Sequence, residues 1–271
     1  MTQNLTDLKA EFIKINQGLV DDPKVIIDNK VWYQTHRSGD TGIGKTFEDL
    51  LGKKEDNFQL PDYENIELKA HLDNDSLITL FTKSPNLPRG INTILREKYG
   101  YSDDDTGIKV LHSTVPSGRK TFNAKSQHYF TVVDDPESEA VKLVVYNKDG
   151  QLITNDVQAK WTYSAIAKAL HNKMPDTLAV IKTDKKKIDK KIYYNYKSIW
   201  IAKVTPQIVL DALNAGTVYV DLRMGAYKSG KKKGQNHDHG TGFRISWNNL
   251  LKSAHAYELV SNEDITPVAN N

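Results

Sequence analysis

Apolar side chains recur at helical spacing in five segments of the chain. In the first segment Leu5, Leu8, Phe12 and Ile15 lie three or four positions apart, and Gly18 follows them. This is the pattern of an amphipathic helix that ends at a glycine. In the last segment, Thr205 and Pro206 occupy the positions expected for the N-cap and the first residue of a helix. The spacing predicts helices at residues 5–17, 45–51, 91–99, 163–174 and 206–215.

Other segments alternate apolar with polar residues, or form short apolar runs bounded by glycine, proline or asparagine, as strands do. These predicted strands lie at residues 66–72, 76–83, 128–135, 140–153, 176–183, 191–204, 217–225 and 241–247. Helices and strands are interspersed, and no internal repeat or linker is visible. We therefore predict one mixed α/β domain, which could contain two lobes, followed by a flexible tail after Val260.

Composition excludes several kinds of protein. The 271 residues include no cysteine, which excludes disulfide frameworks, thiolate zinc sites and cysteine nucleophiles. No apolar run approaches the ~18 residues that would span a bilayer. The first residues lack the pattern of a secretory signal, so a cytoplasmic location is expected. The sequence GIGKT at residues 42–46 lacks the spacing of a phosphate-binding loop, so no nucleotide cofactor is expected.

The net charge of +3 is small, but the lysines are unevenly distributed. They cluster at residues 182–191 and 228–234, where tyrosines and a tryptophan lie among or close to them. Such clusters suit a polyanion, because lysine and arginine displace counterions from phosphates. A solvated charged surface would explain the same runs.

Asp62, Glu67 and Lys69 are predicted to converge at one end of a hairpin. If Ile66 and Leu68 face the core, strand alternation projects Glu67 and Lys69 together on an accessible face. Asp62 precedes a short turn and can return to the same end. Two carboxylates beside an ammonium group could hold Mg²⁺ and leave positions for water and phosphate. An ordinary surface salt bridge would also explain them, and chance alone yields about one Glu-x-Lys triplet in such a chain.

A second group of candidate residues lies in and beside a long glycine-containing loop between two predicted strands. It comprises Asp221, Arg223, Tyr227, Lys231, Lys232, Lys233, His237, Asp238, His239 and Arg244. Arginine can donate two hydrogen bonds to guanine, and a carboxylate can accept one from cytosine. Lysines are better suited to phosphates. The pattern favours a surface that reads G·C pairs in a major groove.

Other interpretations of this segment remain open. His237 and His239 could bind a transition metal, although Asp238 is the only further ligand nearby. Asp221 and Arg223 could form a structural ion pair. Tyr227 could contact only the DNA backbone.

The segment RSGDTGIGKTFEDLLGKKEDNFQLPDYENIELKA, residues 37–70, resembles the MutH-like branch of the PD-(D/E)XK nucleases. It has a glycine-rich entry, a helix that carries Glu48, and a Pro-Asp…Glu-x-Lys hairpin. The similarity continues through SLITLFTKSPNLPRGINTILREKYG and VDLRMGAYKSGKKKGQNHDHGTGFRI. Within that branch the chain resembles the MvaI/BcnI family of type II restriction endonucleases over most of its length, and less strongly at residues 142–203.

The resemblance implies an α/β (α+β mixed) fold with a mixed central sheet flanked by helices. It implies a single endonuclease domain over residues 1–260, in which residues 1–135 would form a catalytic lobe and residues 136–260 a DNA-recognition lobe. Residues 261–271 would be the flexible tail.

The resemblance also assigns roles to residues. Asp62, Glu67 and the main-chain carbonyl of Leu68 would bind Mg²⁺, Lys69 would lie beside the attacking water, and Glu48 would support the site. A purely structural Glu48 is the alternative. Base recognition would fall to Asp221, Arg223, Tyr227, His237, Asp238, His239 and Arg244. The DNA backbone would be contacted by Lys231, Lys232 and Lys233.

The implied activity is Mg²⁺-dependent hydrolysis of double-stranded DNA at CC(A/T)GG or a related CCNGG-type site. The products would be a 5′-phosphate and a 3′-hydroxyl. The enzyme would act as a monomer in the bacterial cytoplasm, with a cognate DNA methyltransferase as its genetic partner. Two alternatives remain: a MutH-like repair nickase that needs partner proteins, and a DNA-binding module without catalysis.

Overall fold

The protein is described by a computed structural model for residues 2–52, 63, 65–72, 77–153, 158–174, 177–238 and 240–268, without the side chains of Asn236 and Asp238. The helices of these residues are α1 (Gln3–Gln17), α2 (Gly42–Leu50), α3 (Ile91–Tyr99), α4 (Tyr163–Lys173), α5 (Pro206–Asn214) and α6 (Trp247–Ser253), with a 3-10 helix at Pro136–Ser138. Their positions confirm the five helices predicted from apolar spacing.

The first eight strands of the described residues are β1 (Lys24–Ile27), β2 (Lys30–Gln34), β3 (Ile66–Leu72), β4 (Leu77–Thr82), β5 (Tyr101–Ser102), β6 (Lys109–Pro116), β7 (Thr121–Asn123) and β8 (His128–Asp135). They are followed by β9 (Ala140–Tyr146), β10 (Ala159–Thr162), β11 (Thr177–Ile188), β12 (Lys191–Ala202), β13 (Val218–Ala226), β14 (Asn236–Asp238), β15 (Gly242–Ser246) and β16 (Tyr257–Ser261). The alternation pattern did not predict β1, β2, β5, β6, β7, β10, β14 or β16.

The chain forms two compact units, and each is discontinuous in sequence. The first unit comprises Met1–Ser76, His171–Val204 and Leu250–Asn271. The second unit comprises Leu77–Leu170 and Thr205–Asn249. This division differs from two lobes separated at residue 135, because strand pairing joins segments that are distant in sequence.

The first unit is built on a mixed sheet in the order β1-β2-β12-β11-β3, with β16 beside β12. Strand β3 pairs parallel with β11, in the register Leu178↔Glu67 and Val180↔Lys69, whereas the other pairs are antiparallel. Helices α1 and α2 contribute Phe12 and Phe47 to the buried cluster against this sheet. The predicted mixed sheet flanked by helices is therefore confirmed.

Helix α1 shows how the sequence specifies an element of this unit. Leu5, Leu8, Phe12 and Ile15 are all buried on one face. The helix ends where Gly18 adopts a φ of 75°, which a residue without Cβ adopts at little cost. The amide of Gly18 donates a hydrogen bond to the carbonyl of Ile15, and the amide of Leu19 donates one to the carbonyl of Lys14.

Strands β11 and β12 form a long hairpin that contains one of the two lysine clusters. A two-residue turn at Asp189 and Lys190, with φ of 48° and 67°, joins the strands. Positive φ at both positions is the property of a type I′ turn, whose twist matches the flanking strands. The strand predicted to end at residue 183 continues to Ile188, because its lysines pair across the hairpin with residues 192–194.

The second unit contains two further sheets, in the orders β10-β9-β8-β7 and β4-β15-β13-β6-β5, with β14 beside β13. In β13 the residues Val218, Val220, Leu222 and Met224 are buried, so the residues between them project from the opposite face of that sheet. This alternation positions Asp221 and Arg223 together.

The carboxyl-terminal segment packs further than the sequence predicts. Asn262 lies within the stretch expected to be a flexible tail, yet it is buried and donates to the side chains of Asn16 and Asn195. The amide of Val268 donates to the carbonyl of Gln17. Where the chain is described, none of its helices has the length and apolar character that crossing a membrane would require.

Candidate functional site

Glu67 is completely buried in strand β3, with no solvent-exposed surface. The prediction that it lies on an accessible face is therefore wrong. Its neighbours Ile66 and Leu68 are buried as well, so both faces of the strand are covered at this point. A carboxylate in such a position is costly unless positive groups or hydrogen-bond donors face it.

Two lysine ammonium groups balance the Glu67 carboxylate. Lys69 donates a hydrogen bond to Oε1 of Glu67, and Nζ of Lys173 lies 2.9 Å from Oε2. The side chains of Lys69 and Lys173 are 28% and 30% exposed, so this end of the site reaches solvent. Lys69 was predicted beside Glu67, and Lys173 was not predicted.

The contribution of Lys173 depends on chain topology. It is in the last turn of α4, and β11 begins shortly after that helix. Because β11 runs parallel to β3 with Leu178 opposite Glu67, the end of α4 is brought to the start of β3. No local pattern in the sequence indicates this, since Lys173 resembles any basic residue at a helix C-terminus.

The predicted metal ligands are only partly within the described residues. Asp62 lies outside them, whereas Glu67 and Leu68 lie in β3. Among the described residues no group of three or more histidine, aspartate or glutamate side chains could hold a metal ion. The Glu67 carboxylate, which already faces two positive charges, and the neighbouring main-chain carbonyl are hard oxygen donors of the kind that Mg²⁺ prefers. The donor chemistry therefore fits a divalent cation.

Glu48 lies on α2, which packs against β3. Its side chain is half-buried, and a Cβ atom at Gly44 would lie 3.9 Å from Oε1 of Glu48. The structure therefore places Glu48 on the helix beside the strand of Glu67. Whether it supports the site chemically stays a prediction.

In the second unit, Asp221, Arg223 and Arg244 share the polar face of the sheet that contains β13. Nη1 of Arg244 donates to Oδ2 of Asp221 at 2.7 Å, and its Nη2 donates to the carbonyl of Leu77 at 3.1 Å. Thr114 donates to Oδ1 of Asp221 at 2.7 Å. Asp221 thus pairs with Arg244. The alternative interpretation of the sequence, a structural ion pair between Asp221 and Arg223, is not what the structure shows.

A cavity of about 410 Å³ opens on this face, lined by His112, Ser113, Thr114, Asp221, Leu222 and Arg223. Nε of Arg223 is buried without a hydrogen-bond partner among the described residues. A Cβ atom at Gly242 would lie 2.7 Å from Nη2 of Arg223, so a side chain there would displace the guanidinium from its present position. His112 and Thr114 were not predicted, because their relation to β13 depends on its pairing with β6.

The long loop after β13 positions the aromatic and basic candidates. The rings of Tyr227 and His237 lie 4.4 Å apart, and the ammonium group of Lys232 lies 5.5 Å from the Tyr227 ring centre. Lys231, Lys232 and Lys233 form an exposed turn between β13 and β14. Asp238 is in β14 without a described side chain, and His239 lies outside the described residues.

Arg96, in α3, anchors this loop and was not predicted. Its guanidinium is buried and donates to the carbonyls of Gly225, at 3.2 Å, and Gly234, at 3.4 Å. Nη2 also donates to Glu97 at 2.8 Å. One side chain thus holds both ends of the loop that carries the lysine turn.

The model of the MvaI/BcnI restriction endonuclease family matches residues 25–252. A complex of the restriction endonuclease MvaI with its cognate DNA substrate has a TM-score of 0.80 and 39% identity, and the match covers 96% of this chain and 100% of that one. MvaI in the absence of DNA has a TM-score of 0.63 and 39% identity, with 96% and 99% of the two chains covered. No curated protein matched. These similarities confirm the predicted PD-(D/E)XK fold.

Proposed function

Because the chain belongs to the MvaI/BcnI restriction endonuclease family, whose members are site-specific DNA endonucleases, we propose that it hydrolyses double-stranded DNA at a short site with the help of Mg²⁺. The observation that carries this proposal is the buried Glu67 carboxylate between Lys69 and Lys173. A carboxylate flanked by ammonium groups beside solvent suits phosphodiester hydrolysis, in which negative charge develops on the non-bridging and leaving-group oxygens of the phosphate.

Mg²⁺ would be held by Glu67, the Leu68 carbonyl and Asp62, and when bound would activate water and neutralise charge on the phosphate. Lys69 donates one hydrogen bond to Glu67, and its remaining N–H donors would orient the attacking water in line with the scissile bond. Lys173 balances the negative charge of Glu67 and would add positive charge near the phosphate. Glu48, on the neighbouring helix, supports the arrangement.

The second unit supplies recognition, and the first unit supplies catalysis. Arg223 and Arg244 present guanidinium groups that suit guanine, and Asp221 suits cytosine. The Asp221–Arg244 pair and the Thr114 hydroxyl fix these groups before DNA arrives, which lowers the entropy lost on binding. Tyr227, His237, Asp238 and His239 would contact bases, and Lys231, Lys232 and Lys233 would contact phosphates.

The target in this proposal is CC(A/T)GG or a related CCNGG-type site. MvaI, of similar length and 39% identical, was solved with its cognate DNA, which supports duplex DNA as the substrate. The enzyme acts as a monomer that cuts the two strands in turn, and a methyltransferase of the same specificity protects the host DNA. A partner-dependent nickase and a non-catalytic binding module are the competing functions.

The test is digestion of unmethylated phage DNA by the purified protein, with Mg²⁺ or with EDTA, followed by sequencing of the fragment ends. We expect discrete Mg²⁺-dependent fragments whose 5′-phosphate ends map to CCNGG-type sites and identify the central base pair. Single-strand nicks alone would favour the nickase. Specific binding of the same DNA without cleavage would favour the binding module.

A further inference from the structure

A cavity of about 380 Å³ in the first unit is lined by positive side chains that neither catalysis nor recognition uses. It lies between the loop that follows β2 and the turn end of the β11–β12 hairpin. Its cationic residues are Arg37, Lys185, Lys190 and Lys191, and Asp40 is its carboxylate. The lining therefore carries an excess of positive charge even when His36, which also faces it, is left out.

The hairpin turn determines where three of these charges lie. Lys190 occupies the second position of the two-residue turn, and Lys191 begins β12. Lys185 is opposite Tyr194 in the strand register, and Tyr194 also lines the cavity. The lysines are exposed, so their ammonium groups are accessible to a ligand from solvent.

The loop on the other side is fixed by backbone contacts. The amide of Thr35 donates to the carbonyl of Ile192 at 2.9 Å, and its hydroxyl donates to the carbonyl of Arg37 at 2.7 Å. A Cβ atom at Gly42 would lie 2.3 Å from that same carbonyl, so only glycine permits the loop to fold this closely. The backbone of Arg37 is therefore held in place before any ligand binds.

His36 adds a further constraint on this loop. Its ring nitrogens lie 2.8 Å from carboxylate oxygens of Asp22 and Asp49. Burial lowers the pKa of His36, but the hydrogen bonds and charges of the two carboxylates outweigh it, so the pKa is raised. Asp22 and Asp49 therefore balance the charge of a protonated His36, and the positive charge available to a ligand comes chiefly from Lys185, Lys190 and Lys191.

Four cations around one carboxylate repel one another in the free protein and attract an anion. Guanidinium and ammonium groups together are the usual donors to phosphate. We propose that this cavity binds a backbone phosphate of the DNA that flanks the recognition sequence. This inference rests on the proposed function, because it takes the ligand to be the DNA on which the enzyme acts.

The strand register gives the separation along β11 between the catalytic Glu67 and the cavity residue Lys185. Lys185 lies seven residues beyond Leu178, which pairs with Glu67. At ~3.3 Å per residue the separation along β11 is ~23 Å. Duplex DNA rises ~3.4 Å per base pair, so if the duplex axis follows β11 the contacted phosphate lies ~7 base pairs from the scissile bond. That position is outside a CCNGG-type site.

The experiment is equilibrium binding of duplexes that contain the site and flanks of ~4 or ~12 base pairs, in EDTA, across a salt series. The test variant is Lys185→Gln/Lys191→Gln, which avoids the positive-φ position 190. The matched control, Lys30→Ala/Lys203→Ala, removes two exposed lysines of the same unit that do not line the cavity. We expect the test variant to lose about three- to tenfold in affinity for the long duplex only, and to lower the salt slope by about 1.

Equal dependence on flank length in the wild type and the test variant would overturn the inference, as would an equal loss of affinity in the control.

Ethylation of single phosphates provides a second measurement that needs no variant. We expect interference at a phosphate ~7 base pairs from the cut, and its absence throughout the flanks would contradict the proposal. Binding of inorganic phosphate by the wild type and not by the test variant, with duplex affinity independent of flank length, would identify a free-phosphate site and overturn the inference. Failure to bind either duplex specifically would instead reject the proposed function.

Discussion

At the scale of single residues, the central feature is a carboxylate that has no contact with solvent. Glu67 is buried, whereas the two lysines that pair with it are each about one-third exposed. Burial strengthens the electrostatic interaction of Glu67 with any cation, because little water screens it. The same burial makes the carboxylate dependent on its partners.

Lys173→Met should slow cleavage about 10- to 100-fold, because Glu67 loses one of its two positive partners and the phosphate loses a nearby charge. Specific binding should change little. Single-turnover cleavage and binding in EDTA would measure the two effects. Lys168→Met, at an exposed position of the same helix, is the matched control. An unchanged cleavage rate in Lys173→Met would remove this lysine from the catalytic site.

Arg244→Ala should reduce discrimination at one G·C pair by ~1–3 kcal/mol, because a bidentate contact to guanine is lost. Competition binding with duplexes that carry single base-pair substitutions would measure this loss of discrimination. Asp221→Asn is the companion variant, since it weakens the ion pair at 2.7 Å but keeps the arginine. If both variants merely lowered thermal stability and left base preference intact, the pair would be structural.

Residue spacing predicted the proximity of Glu67 and Lys69, because strand alternation is local. It did not predict that Glu67 is buried, or that Lys173 pairs with it, because both depend on the parallel pairing of β3 with β11. Similarly, Arg244 could be predicted as a candidate, but its bond to Asp221 required the register of β13 with β15.

At the scale of elements, His36 ties the loop after β2 to α2 and to the segment before β1. Its partners are Asp22 and Asp49, and Lys45 pairs with Asp49 at 2.5 Å. A histidine whose pKa is raised on folding stabilises the protein fully below its unfolded pKa of ~6.5, and this contribution is lost as pH rises through the folded value.

We therefore expect His36→Gln to lower stability by about 1–2 kcal/mol near pH 6, from the loss of charge-assisted hydrogen bonds. The difference from the wild type should shrink as pH increases above that range. Thermal unfolding between about pH 5.5 and 9 would measure it. His171→Gln, which replaces an exposed histidine of the same unit, is the matched control. A pH-independent difference would contradict the ionic role of His36.

Arg96→Met should loosen the loop between β13 and β14, because the carbonyls of Gly225 and Gly234 lose their shared donor. We expect about a tenfold loss in specific DNA binding and ~2–4 kcal/mol in stability. Fluorescence anisotropy and denaturant unfolding would measure these. Arg89→Met removes an exposed arginine of the same unit and serves as the control. Unaltered binding by a folded Arg96→Met protein would show that this anchor does not affect recognition.

Elements with strong periodicity could be predicted from sequence, and short or highly charged ones could not. Helix α5 has the predicted threonine cap, since Thr205 accepts a hydrogen bond from the amide of Ile208 at 3.3 Å. The four-residue strand β1 has no distinct alternation. The lysine-rich end of β11 was interpreted as a charge cluster, although cross-strand pairing makes it a strand.

At the scale of the whole molecule, two units are each assembled from segments that are far apart in the chain. The first unit joins residues near both termini to the β11–β12 hairpin. Local patterns cannot indicate this, because the pairing partner of a strand is chosen by long-range packing and not by its own sequence. Family resemblance could predict the fold class, but the discontinuous boundaries became clear only from the contacts within each unit.

The central claim is that the buried carboxylate site of the first unit cuts the DNA. The most direct measurement is cleavage of a site-containing duplex by Lys69→Ala in Mg²⁺, with specific binding measured in parallel. We predict that cleavage is lost by at least about a thousandfold, while binding stays within about threefold of the wild type. Cleavage by the variant at a rate comparable to the wild type would contradict the claim.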